Sequence, residues 1–373
     1  VATSPIRAVL CSALSRLGLA RRIGGLGNVA APLRAAGAVD PQPWVRTLRE
    51  SILAENTEAL EQLAQAPELA AVPADAVALL GYALAEANQL DASIAAYEAG
   101  QRRYPNDFVL NLELGTRIAQ RDWDEHGEAI RYFQAALALR PESVEVRRRL
   151  AAALKSTRRY GEAAGVLRDA IRLAPNAADL YARLGIVVRY FDLDAGERAF
   201  LRALEIDSNE PLAHTGLGLV ASARGDQDGA VTRYREAIAC DEDHLLAYLN
   251  LGIILMERGE YEEAARMHRR SHEIGSGRAA WPYPTEHWIR WCGRLRNAAN
   301  ALPEIRAGGV PEGSDYQWYD LAHAAEHQRL YGLAARCWSE HWAEHAPSEF
   351  HAHRGTLVLR GAECAARAGR GES

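Results

Sequence analysis

From Asp75 to Gly277 the chain restates one pattern six times, at a spacing of about 34 residues. Each statement opens with a leucine followed by a small residue: Leu80-Gly81, Leu114-Gly115, Leu150-Ala151, Leu184-Gly185, Leu217-Gly218 and Leu251-Gly252. About twelve residues on comes a second small residue, at Ser93, Ala129, Ala163, Gly196, Ala230 and Ala264. A bulky partner follows one helical turn later, at Tyr97, Phe133, Leu167, Phe200, Tyr234 and, less typically, His268. A first helix with a point of close approach, followed by a second helix with a large side chain to fill it, is what this spacing encodes. Pro105, Pro141 and Pro175 stop the second helices, because proline cannot continue a helix and biases its predecessor to extended backbone. Ser208 and Glu242 take that place later, and we expect softer turns there.

A period of this length with this pattern identifies tetratricopeptide repeats (TPRs). The expected fold is all-α, a right-handed solenoid of about six repeats with a degenerate seventh and helical caps. The repeats run 74–107, 108–143, 144–177, 178–210, 211–244 and 245–278. Capping helices over 44–73 precede them, with Asn56 as an N-cap. An aromatic and proline-bearing linker occupies 279–314, with a helix that Thr285 caps and that runs to about Asn300; a degenerate repeat follows over 315–348, and a capping helix with a tail over 349–373. Residues 1–43 read as a linker with a short amphipathic helix: Val9, Leu10, Leu14, Leu17 and Leu19 are interrupted by Arg7, Arg16, Arg21 and Arg22, which is unlike a signal peptide.

Charge narrows the partners. A formal net charge of −6 over 373 residues gives no reason to expect nonspecific nucleic-acid binding, which needs a basic surface. No uninterrupted apolar run is long enough to span a bilayer. Cys11, Cys240, Cys292, Cys337 and Cys364 are odd in number and scattered, as in a protein of the reducing cytoplasm. Protein or peptide partners are expected, with no nucleic acid, membrane or cofactor, and the sequence leaves the oligomeric state open.

Two stretches carry a closer resemblance. The run 102–108 (Arg-Arg-Tyr-Pro-Asn-Asp-Phe) with Asn111-Leu112, and the run from Ala129 to Pro141, resemble the C-terminal repeat region of large bacterial serine/threonine protein kinases. Trp281-Pro282-Tyr283-Pro284 with Trp288, then 329–336, then His353-Arg354 leading to 362–366, are similar to the closing segment of that family in the same order. The resemblance implies a partner- or substrate-docking arm behind a kinase domain, and a chain opening on Val1 fits the expectation of a longer parent. Kinase chemistry itself needs a Gly-rich strand turn, a strand lysine and aspartates for magnesium. Gly24-Gly25-Leu26-Gly27 lacks the preceding strand, and Asp107-Phe108-Val109 lacks the glycine and opens a helix that Asn106 or Asp107 caps. We therefore expect no catalysis from these residues.

One constellation could bind a metal. His323, Glu326 and His327 fit a His-x-x-Glu-His pattern, and Cys337, His341 and His345 repeat the one-turn spacing on the next helix. The competing reading is a set of half-exposed histidines packed on Trp318, Trp338 and Trp342 in a capping repeat.

The other candidate is the inner face. In this architecture the second, fifth, ninth and twelfth positions of each first helix line a groove. From these positions come Tyr82, then Arg148 with Lys155 and Arg189 as a cationic middle, then Leu212, Leu219, Leu246, Leu249, Ile253 and Met256 as an apolar half. Such a groove suits a peptide with an acidic segment and apolar anchors. The competing occupant of the apolar half is the chain's own C-terminal helices. Only Asn250 lies where a carboxylate-gripping clamp of paired lysines and asparagines would need one.

Overall fold

The computed structural model describes residues 42–121, 126–277, 283–308, 318–344 and 354–371. Among them are eighteen α-helices, one 3-10 turn and no strand. Contacts divide the chain into two units, Val1–Tyr190 and Phe191–Ser373.

In the first unit α1 (Pro43–Leu53) and α2 (Thr57–Gln65) lead through a 3-10 turn (Pro67–Ala71) into α3 (Ala74–Glu86). Then follow α4 (Leu90–Arg103), α5 (Phe108–Arg121), α6 (His126–Leu139), α7 (Val144–Ser156), α8 (Tyr160–Leu173) and α9 (Ala178–Val188). The second unit holds α10 (Leu193–Ile206), α11 (Pro211–Ala223), α12 (Gln227–Cys240), α13 (Leu245–Glu257) and α14 (Tyr261–Gly275). It continues with α15 (Thr285–Arg306), α16 (Trp318–His327), α17 (Tyr331–Glu344) and α18 (Arg354–Gly369). From α3 onward, each helix within a unit packs on the next in the chain.

Small-against-large pairs set the spacing. A Cβ on Gly81 would meet the Tyr97 ring at 2.5 Å, and one on Gly218 would meet Tyr234 at the same distance. The Tyr97 hydroxyl donates to the Ala78 carbonyl at 3.2 Å, and Ser93 Oγ donates to the Gly81 carbonyl at 2.6 Å, so the buried polar ends are satisfied. In the sixth repeat a Cβ on Gly252 would meet an imidazole, that of His268, at 2.6 Å.

Helix ends follow local chemistry. Asn56 caps α2 through the Ala59 amide, and Asp107, not Asn106, accepts from Leu110 at the start of α5. The turns without proline are ordered by another device: Asp207 Oδ1 accepts from the Asn209 amide at 2.9 Å, and Asp241 Oδ1 from the Asp243 amide at 3.0 Å. These side chains imitate a backbone turn, which is why α10 and α12 stop at the same offset as the proline-ended helices. Thr285 does not cap α15. It is the first helical residue, its hydroxyl lies 2.9 Å from His272 Nδ1, and the helix runs on to Arg306, passing through Pro303.

Candidate functional site

The first unit presents a charged inner face. Tyr82 on α3 is half-buried, with the Arg117 guanidinium 5.7 Å from its ring centroid. Arg148 on α7 does not stand as a free cation: its Nε lies 2.8 Å from Asp179 Oδ2 on α9, and a second nitrogen 3.5 Å from Glu145. The fifth position of one repeat meets the second position of the next, and here those residues carry opposite charge. Arg149 pairs with Glu145 at 2.7 Å and donates to the Thr116 hydroxyl on α5, while Arg183 reaches Asp179 at 3.4 Å.

Lys155 and Arg189 differ from this pattern. Burial and the nearby Arg183 and Arg189 hold the Lys155 ammonium below the usual lysine range, and neither Lys155 nor Arg189 has a carboxylate partner among the described residues. Arg189 lies over the Tyr190 ring at 4.5 Å, and Tyr190 stacks on Tyr160 with centroids 4.2 Å apart. Sequence reasoning found Lys155 and Arg189 from their positions, but missed Arg183, which lies one residue outside the groove pattern.

The second unit presents an apolar inner face, partly closed. Leu212, Leu219, Leu246 and Ile253 are half-buried. Leu249 and Met256, expected to face a partner, are instead only 3% and 8% exposed. Met256 belongs to the apolar cluster that also holds Leu255, Tyr261, Cys292 and Leu295, and Leu219 packs against that cluster. Helix α15 therefore contributes to the core with side chains that a periodicity argument limited to the repeats did not include. Asn250 donates to the Leu246 carbonyl of its own helix at 2.6 Å, so it grips no ligand in this arrangement.

The described histidines of this cluster lie among aromatic rings. His323 is buried and meets Trp291, Tyr319 and Trp338 edge-on, with centroids at 5.6, 4.5 and 5.2 Å. His327 Nδ1 lies 3.1 Å from the Tyr261 hydroxyl on α14. Glu326 accepts from Trp338 Nε1 at 2.6 Å and from Cys364 Sγ at 3.3 Å. His341 packs edge-on against Tyr319 and Trp338. Cys337 is buried, and burial pushes its thiol up to about 11, which disfavours the thiolate a metal requires. Among the described residues no group of three or more His, Cys, Asp or Glu is placed to hold a metal ion. His345 lies outside them, as do the segments 1–41 and 281–282 and Pro347, while of the Trp342 side chain nothing is described. Of the aromatic partners expected for His323 the structure shows Trp338, and it adds Trp291 from α15 and Tyr319 from the same helix as His323.

A ladder of ion pairs also escaped the sequence. Arg121 reaches Asp91 at 3.9 Å in the first unit. In the second unit Arg224 reaches Asp194 at 2.8 Å, and Arg258 reaches Asp228 at 2.7 Å. A 30-residue offset from an aspartate in the first turn of one second helix to an arginine at the end of the next first helix is the signal that would have found it.

Family models of the tetratricopeptide repeat match residues 124–184 and 215–270. The chain carries tetratricopeptide repeats. Over 85 residues it is 36% identical to human tetratricopeptide repeat protein 7B, covering 22% of this chain and 10% of that protein. The chain thus spans about a tenth of the length of the curated relative it matches. Among solved structures, MamA aligns at 25% identity and a TM-score of 0.38, over 43% of this chain and 94% of MamA. The TPR protein TTC0263 of Thermus thermophilus aligns at 20% identity and a TM-score of 0.41, over 49% and 100%. The repeats make this an interaction scaffold, since stacked repeats expose continuous surfaces for protein partners. Among the described residues no helix is long and apolar enough to cross a membrane.

Proposed function

We propose that the inner faces of this TPR protein take peptide segments of protein partners, acidic residues seating on α7 and α9 and apolar residues on α11 and α13. What supports this reading is the repulsion of Lys155 by Arg183 and Arg189: neither Lys155 nor Arg189 has a carboxylate partner among the described residues, and the Arg189 Nε–H is buried without an acceptor. A face that keeps such repulsion gains from any anion brought to it. The half-buried Leu212, Leu246 and Ile253 supply shallow apolar seats in the second unit.

The wider context in this reading is the docking arm of a serine/threonine protein kinase of the cytoplasm. The order of the segments 102–112, 129–141, 281–288, 329–336 and 353–366 supports the kinase link, and the scattered cysteines support the compartment. Docking acts by effective concentration: a substrate held near an active site is modified faster without any chemistry from the array. The coding sequence upstream of Val1 tests this directly, and a parent without a kinase domain removes it.

Panning a random peptide library on the chain tests the binding function. Enrichment of acidic sequences and of apolar sequences is expected. A library that gives no enrichment, or enrichment of basic sequences, contradicts the reading.

A further inference from the structure

Around the contact of α7 with α9 the charges do not balance. Arg148, Arg149, Lys155, Arg183 and Arg189 are five cations, and the carboxylates that pair with any of them are Glu145 and Asp179. Arg148, Arg149 and Arg183 share those two carboxylates. Lys155 and Arg189 have no ion-pair partner among the described residues. The Arg189 Nε–H is buried with no hydrogen-bond acceptor.

Helix dipoles account for part of this arrangement. Lys155 lies in the last turn of α7 and Arg189 at the C-terminal cap of α9, where cations are favoured. That gain falls off within one turn, and it does not reach Arg183 in the middle of α9. The stack of Tyr190 on Tyr160, five residues beyond Lys155, brings the end of α9 to the turn that follows α7, where Arg183 and Arg189 depress the lysine. The guanidinium of Arg189 is also held in place, resting on Tyr190, which is itself stacked on Tyr160. A fixed fork beside a desolvated ammonium is a preorganised anion receptor.

We propose that Lys155, Arg183 and Arg189 form a site for a phosphorylated side chain on a partner peptide. The inference rests on reading this face as peptide-binding. A single carboxylate would neutralise one of the surplus charges, whereas a phosphate monoester carries about −1.5 to −2 and three acceptor oxygens. The forked arginine takes two of those oxygens and the ammonium acts on the third as a point charge.

Three degenerate peptide pools, alike except for a central phosphoserine, glutamate or serine, are titrated against the full chain by fluorescence anisotropy. The phosphoserine pool binds about tenfold more tightly than the glutamate pool, and the serine pool most weakly. Lys155→Gln combined with Arg189→Gln abolishes the phosphoserine preference, lowering affinity for the phosphoserine pool far more than for the serine pool, with helicity checked by circular dichroism. On the unaltered chain, inorganic phosphate displaces the phosphoserine pool better than chloride at equal ionic strength. Equal affinity for phosphoserine and glutamate overturns the phosphate site and leaves the acidic-segment reading standing. Equal affinity for all three pools overturns both. A phosphoserine preference that survives the double substitution, or no displacement by phosphate, overturns the assignment to these residues.

Discussion

The inner faces of α7 with α9 and of α11 with α13 are built on the same repeat plan yet carry opposite chemistry. The first is laced with Arg148, Asp179, Arg149 and Glu145 around an unpaired Lys155. The second shows half-buried Leu212, Leu246 and Ile253, with Met256 drawn into the core. What the first unit shares with the second is the slot behind the face, Gly81 under Tyr97 in the one and Gly218 under Tyr234 in the other. The slots specify helix spacing, which leaves face positions free to vary. A stable backbone and a changing surface are thus separate properties of the same first helix.

The strongest way to break this separation is to fill a slot. Gly218→Leu places a side chain where even a Cβ meets the Tyr234 ring at 2.5 Å, and is expected to cost about 3 kcal/mol in denaturant unfolding. Gly165→Ala provides the contrast. That glycine lies inside α8 with nothing within 4 Å of its would-be Cβ, so alanine is expected to stabilise by about 0.5–1 kcal/mol. Equal responses at the two glycines would contradict the slot account.

A comparable effect comes from the one slot filled by an imidazole. His268 is fully buried against Gly252, its ring 5.1 Å from Trp288, with neither nitrogen hydrogen-bonded. Burial lowers its pKa from 6.5 to about 4. The unfolded chain then takes up a proton near pH 6.5 that the folded chain refuses until about pH 4. Stability is complete above the higher value and falls as pH drops between the two, by up to ~3 kcal/mol. Chemical denaturation at several pH values should show this loss, and His268→Phe should remove it. An unchanged acid dependence in that variant would show that other groups control it.

Smaller effects belong to the faces. Lys155→Gln removes a repelled charge and is expected to raise the melting temperature slightly, more at low salt than at high. A drop would mean that the ammonium has a stabilising partner. The exposed ladder pair of Arg224 with Asp194 is expected to matter least, so Arg224→Met should leave thermal unfolding almost unchanged at high salt.

The slots were legible in the sequence because their geometry repeats: a small residue at one helix position needs a large one at a fixed distance along the chain. Proline stops were legible for the same local reason. The aspartate turns at Asp207 and Asp241 were not, since an aspartate beside a helix end reads equally as a solvated charge. The face was legible only as a set of positions. Whether Arg148 is free depends on Asp179, which lies 31 residues away, and whether Met256 is exposed depends on α15, which lies beyond the repeats. His323 looked like a ligand because sequence spacing shows which side chains share a helix face, and not that Trp291, Tyr319 and Trp338 occupy the space around it.

The most direct test of two chemistries on one plan is the salt dependence of peptide binding to face variants. Peptides selected on the intact chain are measured at low and high salt against Lys155→Glu with Arg189→Glu, and against Leu246→Asp with Ile253→Asp. The account predicts that acidic peptides lose affinity with salt and with the first pair of substitutions. Apolar peptides should be insensitive to salt and lose affinity with the second pair. Peptides that bind unchanged to both variants would contradict the account, because partner binding would then lie on some other surface of the repeats.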